Sequence, residues 1–125
     1  MTYPTIVLKA GKDVPVRAGH PWVFSEAIDV RLSQVSNLED GSLVHVLDAR
    51  QKDLGIGTYN SQTSIRIRFL TRATDILIDA GFFAERFSAL EAWKRPRLPE
   101  QTNGYRLVHA EVDGLPGLII DRYDD

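Results

Sequence analysis

Hydrophobic and polar positions follow two different periods along the chain, and the change falls between residues 70 and 80. The cleanest alternation is Ser64-Ile65-Arg66-Ile67-Arg68-Phe69. It predicts a strand with Ile65, Ile67 and Phe69 inward and both arginines outward. Leu43-Val44-His45-Val46-Leu47 is apolar on both faces, which predicts a buried or central strand. Thr5-Ile6-Val7-Leu8-Lys9 predicts a short first strand ended by Gly11, and Lys12 to Ala18 a short helix or turn with Pro15 in its first turn. In Gly19-His20-Pro21, the glycine supplies a positive φ and the proline pushes His20 into extended geometry. A strand is expected from Trp22 toward Ile28 or Val30, with Trp22 and Phe24 on one face as core anchors. Asn37 to Gly41 and Asn60 to Gln62 read as turns, and Asp48 to Asp53 as a polar hairpin connection into Leu54 to Tyr59. Short strands separated by turn signals every 8–12 residues or so predict a small β-barrel or sandwich.

Beyond it the spacing becomes helical. Phe83, Phe87 and Leu90 fall at i, i+4 and i+7, with Phe82 and Trp93 flanking the stripe. Asp79 as N-cap and Pro96 as stop predict a helix over about residues 80–95, with Lys94 and Arg95 in the last turn complementing its dipole. Arg97 to Asn103 is a polar loop. Tyr105 to Ala110 and Leu118 to Asp121, around Asp113-Gly114-Leu115-Pro116-Gly117, predict a hairpin over about residues 105–123. The expected class is mostly β with short helices, in two units, 1–73 and 74–125. A helix and one hairpin bury little surface alone, and the sequence ends directly after a strand, so a further domain is expected to follow.

Charge adds a local feature that the total hides. The 15 Lys and Arg against 17 Asp and Glu give a net charge of −2, which argues against a generally basic nucleic-acid binder. Yet Thr63 to Thr74 holds Arg66, Arg68 and Arg72 and no acid, whereas Tyr105 to Asp125 holds five acids against two arginines. The chain has no cysteine, which excludes disulfides, thiolate-ligated metals and a cysteine nucleophile within it. No apolar run approaches the roughly 18 residues of a membrane span, and Met1-Thr2-Tyr3-Pro4 does not open a secretory signal. A cytoplasmic protein without a membrane partner is expected.

Candidate chemistry is sparse. His20, His45 and His109 match no metal spacing. His45 reads as a satisfied, half-buried strand residue. Alternation would put His109, Glu111 and Asp113 on one strand face, an acid–base cluster in form but more simply an exposed face. Gly55-Ile56-Gly57 lacks the third glycine and following helix of a phosphate-binding loop, and fits a bulge or close backbone approach in a curved barrel. No nucleophile elbow is present. No catalytic residue, cofactor-binding residue or metal ligand is therefore expected in this chain. Binding has more support. Arg66 and Arg68 share an outward face, Lys9, Lys12 and Arg17 cluster around the first turn, and Tyr59-Asn60-Ser61 supplies a polar aromatic turn. Such a mixture can hold a phosphate backbone and stack a base.

Three motifs occur in order: Arg17-Ala18-Gly19-His20-Pro21-Trp22-Val23-Phe24-Ser25; Gly55-Ile56-Gly57-Thr58-Tyr59-Asn60 with Ser64-Ile65-Arg66-Ile67-Arg68; and Tyr105-Arg106-Leu107-Val108 with Asp113-Gly114-Leu115-Pro116-Gly117-Leu118-Ile119-Ile120-Asp121-Arg122-Tyr123. Together they resemble the start of the ribosomal RNA large-subunit methyltransferase I family, S-adenosylmethionine-dependent RNA cytosine-C5 methyltransferases, over nearly the whole chain. The resemblance implies a PUA-like pseudo-barrel in the first unit, a module attached to RNA-modifying enzymes. It implies the start of a central α+β domain in the second. A Rossmann-like methyltransferase domain carrying the cofactor loop and catalytic cysteines would come next, and this chain departs from the family by not containing it. S-adenosylmethionine is thus implied for that further domain and not for these residues. The implied partner is ribosomal RNA, contacted through Lys9, Lys12, Arg17, His20, Arg66 and Arg68. The alternatives are a PUA-type module of another RNA-modifying enzyme, against which the hairpin after residue 105 argues, and a protein-interaction or homodimerisation unit built on Phe82, Phe83, Phe87 and Trp93. A small hydrolase would rest on His109 and its neighbouring acids alone and ranks last.

Overall fold

The computed structural model describes residues 3–98, 104–113, 115 and 118–123. They fall into two compact units, one reaching Asp75 and the other starting at Ile76.

The first unit contains β1 (Thr5–Val7), α1 (Val14–Arg17), β2 (Trp22–Phe24), β3 (Leu43–Leu47), β4 (Asp53–Tyr59) and β5 (Ile65–Thr71). The strands form one sheet in the order β1-β3-β4-β5-β2. The β3-β4-β5 segment is an antiparallel meander, as its turn signals predict. β1 adds to it in parallel on β3, and β2 antiparallel on β5. The sheet curls until its two edges meet. Leu8 bridges Ile28, Lys9 N–H donates to the Ala27 carbonyl at 2.8 Å, and Asp29 N–H to the Val7 carbonyl at 2.9 Å. The core inside the curl is Ile6, Leu8, Val16, Val23, Ala27, Ile28, Val44, Val46, Leu54, Tyr59, Ile67 and Phe69. This is the expected pseudo-barrel.

The curvature has a specific cause. A Cβ on Gly55 would lie 2.4 Å from the Thr71 carbonyl oxygen, and one on Gly57 2.5 Å from that of Arg68. The β4–β5 register shifts between Ile56 and Gly57 and the β3–β4 register between Val46 and Leu47. The two glycines let β5 press onto β4 at the bend, the close approach that their spacing predicts.

Two expectations for the first unit fail. β2 stops at Phe24, where the register with β5 breaks, and Ser25–Ala27 form a single 3₁₀ turn. Trp22 and Phe24 are not core anchors. Val23 between them is 2% exposed and pairs with the buried Ile67, whereas Phe24 is 38% exposed. The strand is too short for alternation alone to tell its inner face from its outer one, and the β-branched residue took the interior.

In the second unit α2 (Ala80–Lys94) starts where Asp79 Oδ1 accepts the Phe82 N–H at 3.0 Å, and Pro96 falls in a 3₁₀ turn over Arg95–Arg97. Phe82, Phe83, Phe87 and Leu90 are half-buried, and Trp93 is exposed with the Arg97 guanidinium carbon 3.3 Å from its ring centroid. β6 (Gly104–His109) pairs antiparallel with β7 (Ile119–Tyr123), the expected hairpin. Leu107, Val108 and Leu115 are its buried apolar residues among those described. The shared strand face of His109, Glu111 and Asp113 does not form. The chain leaves the strand after His109 into a 3₁₀ turn over Ala110–Asp113, with Ala110 at φ 44°. Asp113 turns back to accept the His109 N–H at 2.7 Å and Lys94 Nζ at 2.6 Å. Burial opposes ionisation of this carboxyl, but these donors outweigh it and hold its pKa below the usual range. The predicted turn at Gly114, Pro116 and Gly117, and most of the polar loop before β6, lie outside the described residues.

Candidate nucleic-acid interface

The turn between α1 and β2 organises the outer surface of the barrel. Pro15 sits in the first turn of α1, and Gly19 takes φ 103°. His20 N–H then donates back to the Pro15 carbonyl at 3.0 Å. The turn is anchored to β5 twice. Phe69 N–H donates to the Pro21 carbonyl at 2.9 Å, and Arg72 Nη2 to the His20 carbonyl at 2.8 Å. Arg72 also lies over the Phe69 ring, 4.1 Å from its centroid, and burial pushes its pKa down.

From this fixed turn three aromatic rings project together. His20 Nδ1 accepts the Trp22 N–H at 3.2 Å, which curls the imidazole over the start of β2. Its ring lies 5.9 Å from that of Trp22 and 6.0 Å from that of Phe24, and the last two meet nearly perpendicular at 6.5 Å. Across the strands, Trp22 pairs with Arg68, Arg68 with Thr58, and Thr58 with Leu43, so one row crosses the outer face. The Arg68 guanidinium carbon sits 5.3 Å from the indole centroid. Beside the rings lies a cavity of about 240 Å³ whose lining includes Lys12, His20, Trp22, Phe24 and Glu26.

Of the six expected contacts, Lys12 and His20 line this cavity, and Arg68 joins it through Trp22. Arg66 projects from the same strand two residues earlier, its guanidinium donating to the Thr63 carbonyl. Lys9 is exposed where the edges of the barrel meet. Arg17 is differently placed. It bonds Asp13 at 2.7 Å and Asp48 at 2.5 Å, and these carboxylates, Asp13 foremost, raise its pKa. Asp48 is 6% exposed, and its Oδ1 accepts the N–H groups of Arg50 at 2.8 Å and Lys52 at 2.9 Å. The Lys52 N–H, then those of Arg50 and the Arg17 side chain, lower its pKa against the cost of burial. Arg17 therefore borders a second open groove of about 440 Å³ with its charge already shared by two acids. Sequence reasoning missed Phe24 and Glu26 as exposed residues, and Trp22 as a half-buried one outside the core whose indole nitrogen is covered. The available signal was Val23, the one residue of Trp22-Val23-Phe24 suited to a tightly packed interior.

The other candidates contribute structure. Tyr59 is a core residue, and Asn60 and Ser61 form a turn in which Asp40 accepts both Ser61 N–H and Oγ at 2.8 Å. His45 is half-buried as expected but not satisfied: its buried Nε2 lies 3.2 Å from Asp53 Oδ1, close in distance but not aligned as a hydrogen bond. Among the described residues no three His, Asp or Glu gather as a metal site, and no helix is long and apolar enough to cross a membrane. Among the described residues no glycine loop fits S-adenosylmethionine. Gly55 and Gly57, the nearest approach to a cofactor loop, face the backbone of β5 so closely that they leave no cradle.

Residues 6–72, more than half of the chain, match the PUA-like domain. The chain belongs to this family. Nearly the whole length of this PUA-like protein is similar to curated proteins named ribosomal RNA large subunit methyltransferase I. It is 39% identical to that of Alteromonas mediterranea over 121 residues, 96% of this chain and 30% of the relative. It is 38% identical to that of Shewanella denitrificans at the same coverage, and 34% to that of Yersinia pseudotuberculosis. The PUA-like protein thus spans about 30% of the length of these relatives. In fold it is similar to a protein of Streptococcus mutans described as a SAM-dependent methyltransferase (TM-score 0.74, 17% identity, 99% of this chain and 31% of that one). A second solved structure, of a methyltransferase complexed with SAH, aligns with TM-score 0.72 and 17% identity over 99% of this chain and 30% of that one.

Proposed function

We propose that the PUA-like unit holds ribosomal RNA on its outer face and positions it for a methyltransferase domain of a longer cytoplasmic protein. That domain would transfer a methyl group from S-adenosylmethionine to C5 of a cytosine. The observation that carries the reading is Arg68 stacked over Trp22 beside His20 and Phe24, a cationic aromatic surface outside the core. Cations neutralise phosphates and rings accept unstacked bases, and RNA offers both. Lys12, His20, Trp22, Phe24 and Arg68 form the centre of the face, with Lys9 and Arg66 extending it. Arg17 contributes through one edge of its guanidinium while Asp13 and Asp48 orient it. The names of the relatives point to ribosomal RNA as the substrate class.

Filter retention of labelled large-subunit RNA fragments over a salt series tests the binding. Lys12→Ala and Arg66→Ala should each weaken retention and lower the salt slope by about one. Unchanged affinity and slope in both would place RNA elsewhere. The target atom is tested in the parent protein by mass spectrometry of the modified nucleotide, where a methyl group anywhere but C5 refutes that part.

A second reading, a homodimer, is favoured by α2, which has no buried residue and carries Trp93 at 60% exposure. Sedimentation over a concentration series separates it from RNA binding.

A further inference from the structure

We infer that the cavity beside Trp22 receives a single unstacked nucleobase, guanine in preference to the others, with Glu26 as the group that selects it. The inference rests on the RNA-binding reading above and adds to it a base-reading site. Its volume of about 240 Å³ falls below the roughly 300–1,000 Å³ of pockets that enclose drug-sized ligands, and so suits one flat ring system. Its walls are divided chemically. His20, Trp22 and Phe24 supply π faces, Pro15, Val16, Val23 and Ala27 the apolar remainder, and Lys12 and Glu26 the charges. The turn is fastened to β5 through Pro21 and His20, so the rings are held in place before a ligand arrives.

A cation and a carboxylate in one aromatic pocket fit a nucleotide better than an aliphatic or purely anionic ligand. Lys12 suits the phosphate attached to the base, whereas Glu26 would repel it. An ionised carboxylate only accepts hydrogen bonds, and can accept two in parallel from a forked donor. Guanine alone among the four bases presents two adjacent donors, N1–H and N2–H, on its Watson–Crick edge. Adenine and cytosine set an acceptor beside their amino group, and uracil flanks its one donor with acceptors. Glu26 lies in the 3₁₀ turn that ends β2, next in sequence but one to Phe24, and is exposed. That edge is paired in a duplex, so the ligand is single-stranded RNA.

The chain contains two tryptophans, so Trp93→Phe leaves Trp22 as the sole indole. That variant is titrated with oligouridine, with oligouridine holding one guanosine, with the same oligomer holding one adenosine or cytidine, and with the guanosine oligomer as a duplex. Trp22 fluorescence should be quenched on binding, and the guanosine oligomer should bind about tenfold more tightly than oligouridine, within the range of one bidentate base contact. Phe24→Ala should weaken all single strands by a similar factor. Glu26→Gln should erase the guanosine preference and leave the salt slope unchanged. RNA retained on filters without quenching, or a guanosine preference that survives Glu26→Gln, overturns the base site and leaves the RNA-binding reading standing. Equal affinity for duplex and single strand also overturns it. Failure of every RNA to be retained removes both.

Discussion

Arg68 and Trp22 stand opposite each other in the β5–β2 register, and the Arg68 guanidinium carbon lies 5.3 Å from the indole centroid. The pair joins a cation to an aromatic face on the outside of a barrel whose inside is apolar. At a half-exposed site such a contact contributes about 0.5–1 kcal/mol. Loss of this stack in Arg68→Ala should lower stability by about 0.5–1 kcal/mol, while the salt slope of RNA retention falls by about one. Arg68→Lys keeps the charge but loses the planar stack, and should restore the slope better than the affinity. Thermal melts and filter retention measured on the same preparations check both.

The bend of the barrel predicts a contrast between two glycines. Gly57→Ala would drive a Cβ to 2.5 Å from the Arg68 carbonyl oxygen and 2.9 Å from Ile67 Cγ2. Backbone cannot yield as a side chain can, so the loss should reach about 3 kcal/mol, the upper end of overpacking costs. Gly41, at φ 89°, has open space around it. Gly41→Ala should cost about 1–2 kcal/mol through backbone conformation alone. Urea unfolding of the two variants should order them so.

Acid should loosen the groove lined by Asp48. Its carboxyl has a lowered pKa in the fold, so its contribution is complete above the unfolded value of about 4 and is lost as pH falls through the folded value. Asp48→Asn should be less stable than the parent at pH 7 and should show a flatter decline of Tm below about pH 4. Asp40, Asp113 and Asp121 are also lowered, so a reduced acid slope remains.

The second unit has its own test in the cap of α2. Asp79→Ala removes the acceptor of the Phe82 N–H and should cost about 1 kcal/mol, whereas Asp79→Ser should recover most of it. Amide exchange at Phe82 and Phe83 reports the change locally.

Much of this was legible in the residues. Alternation placed β5 with its arginines outward, turn chemistry placed the β3-β4-β5 meander, and the Asp79 and Pro96 signals bounded α2. Gly55 and Gly57 announced the bend. The parallel pairing of β1 with β3 was not legible, because local pattern carries no information on which distant strand a segment joins. Of the face proposed to hold RNA, Lys12, His20 and Arg68 were singled out from charge and position, and the structure sets them beside one cavity. The rings between them were assigned to the core because bulk was taken for burial, and in a three-residue strand the inner side is decided by its partner Ile67. Arg17 and Asp48 lie 31 residues apart, and nothing in their neighbourhoods showed that they would meet.

Both edges of the sheet are contributed by residues before position 25, while the meander that they flank is completed only at Thr71. On a translating ribosome, β2 emerges 47 residues ahead of the end of β5, the strand it needs. At about 5–20 residues per second that interval lasts roughly 2–9 s. For that time the nascent chain carries Trp22, Val23 and Phe24 with no β5 to pair with, a natural substrate for chaperones that hold extended apolar segments. The first motif to be synthesised is thus among the last to be assembled.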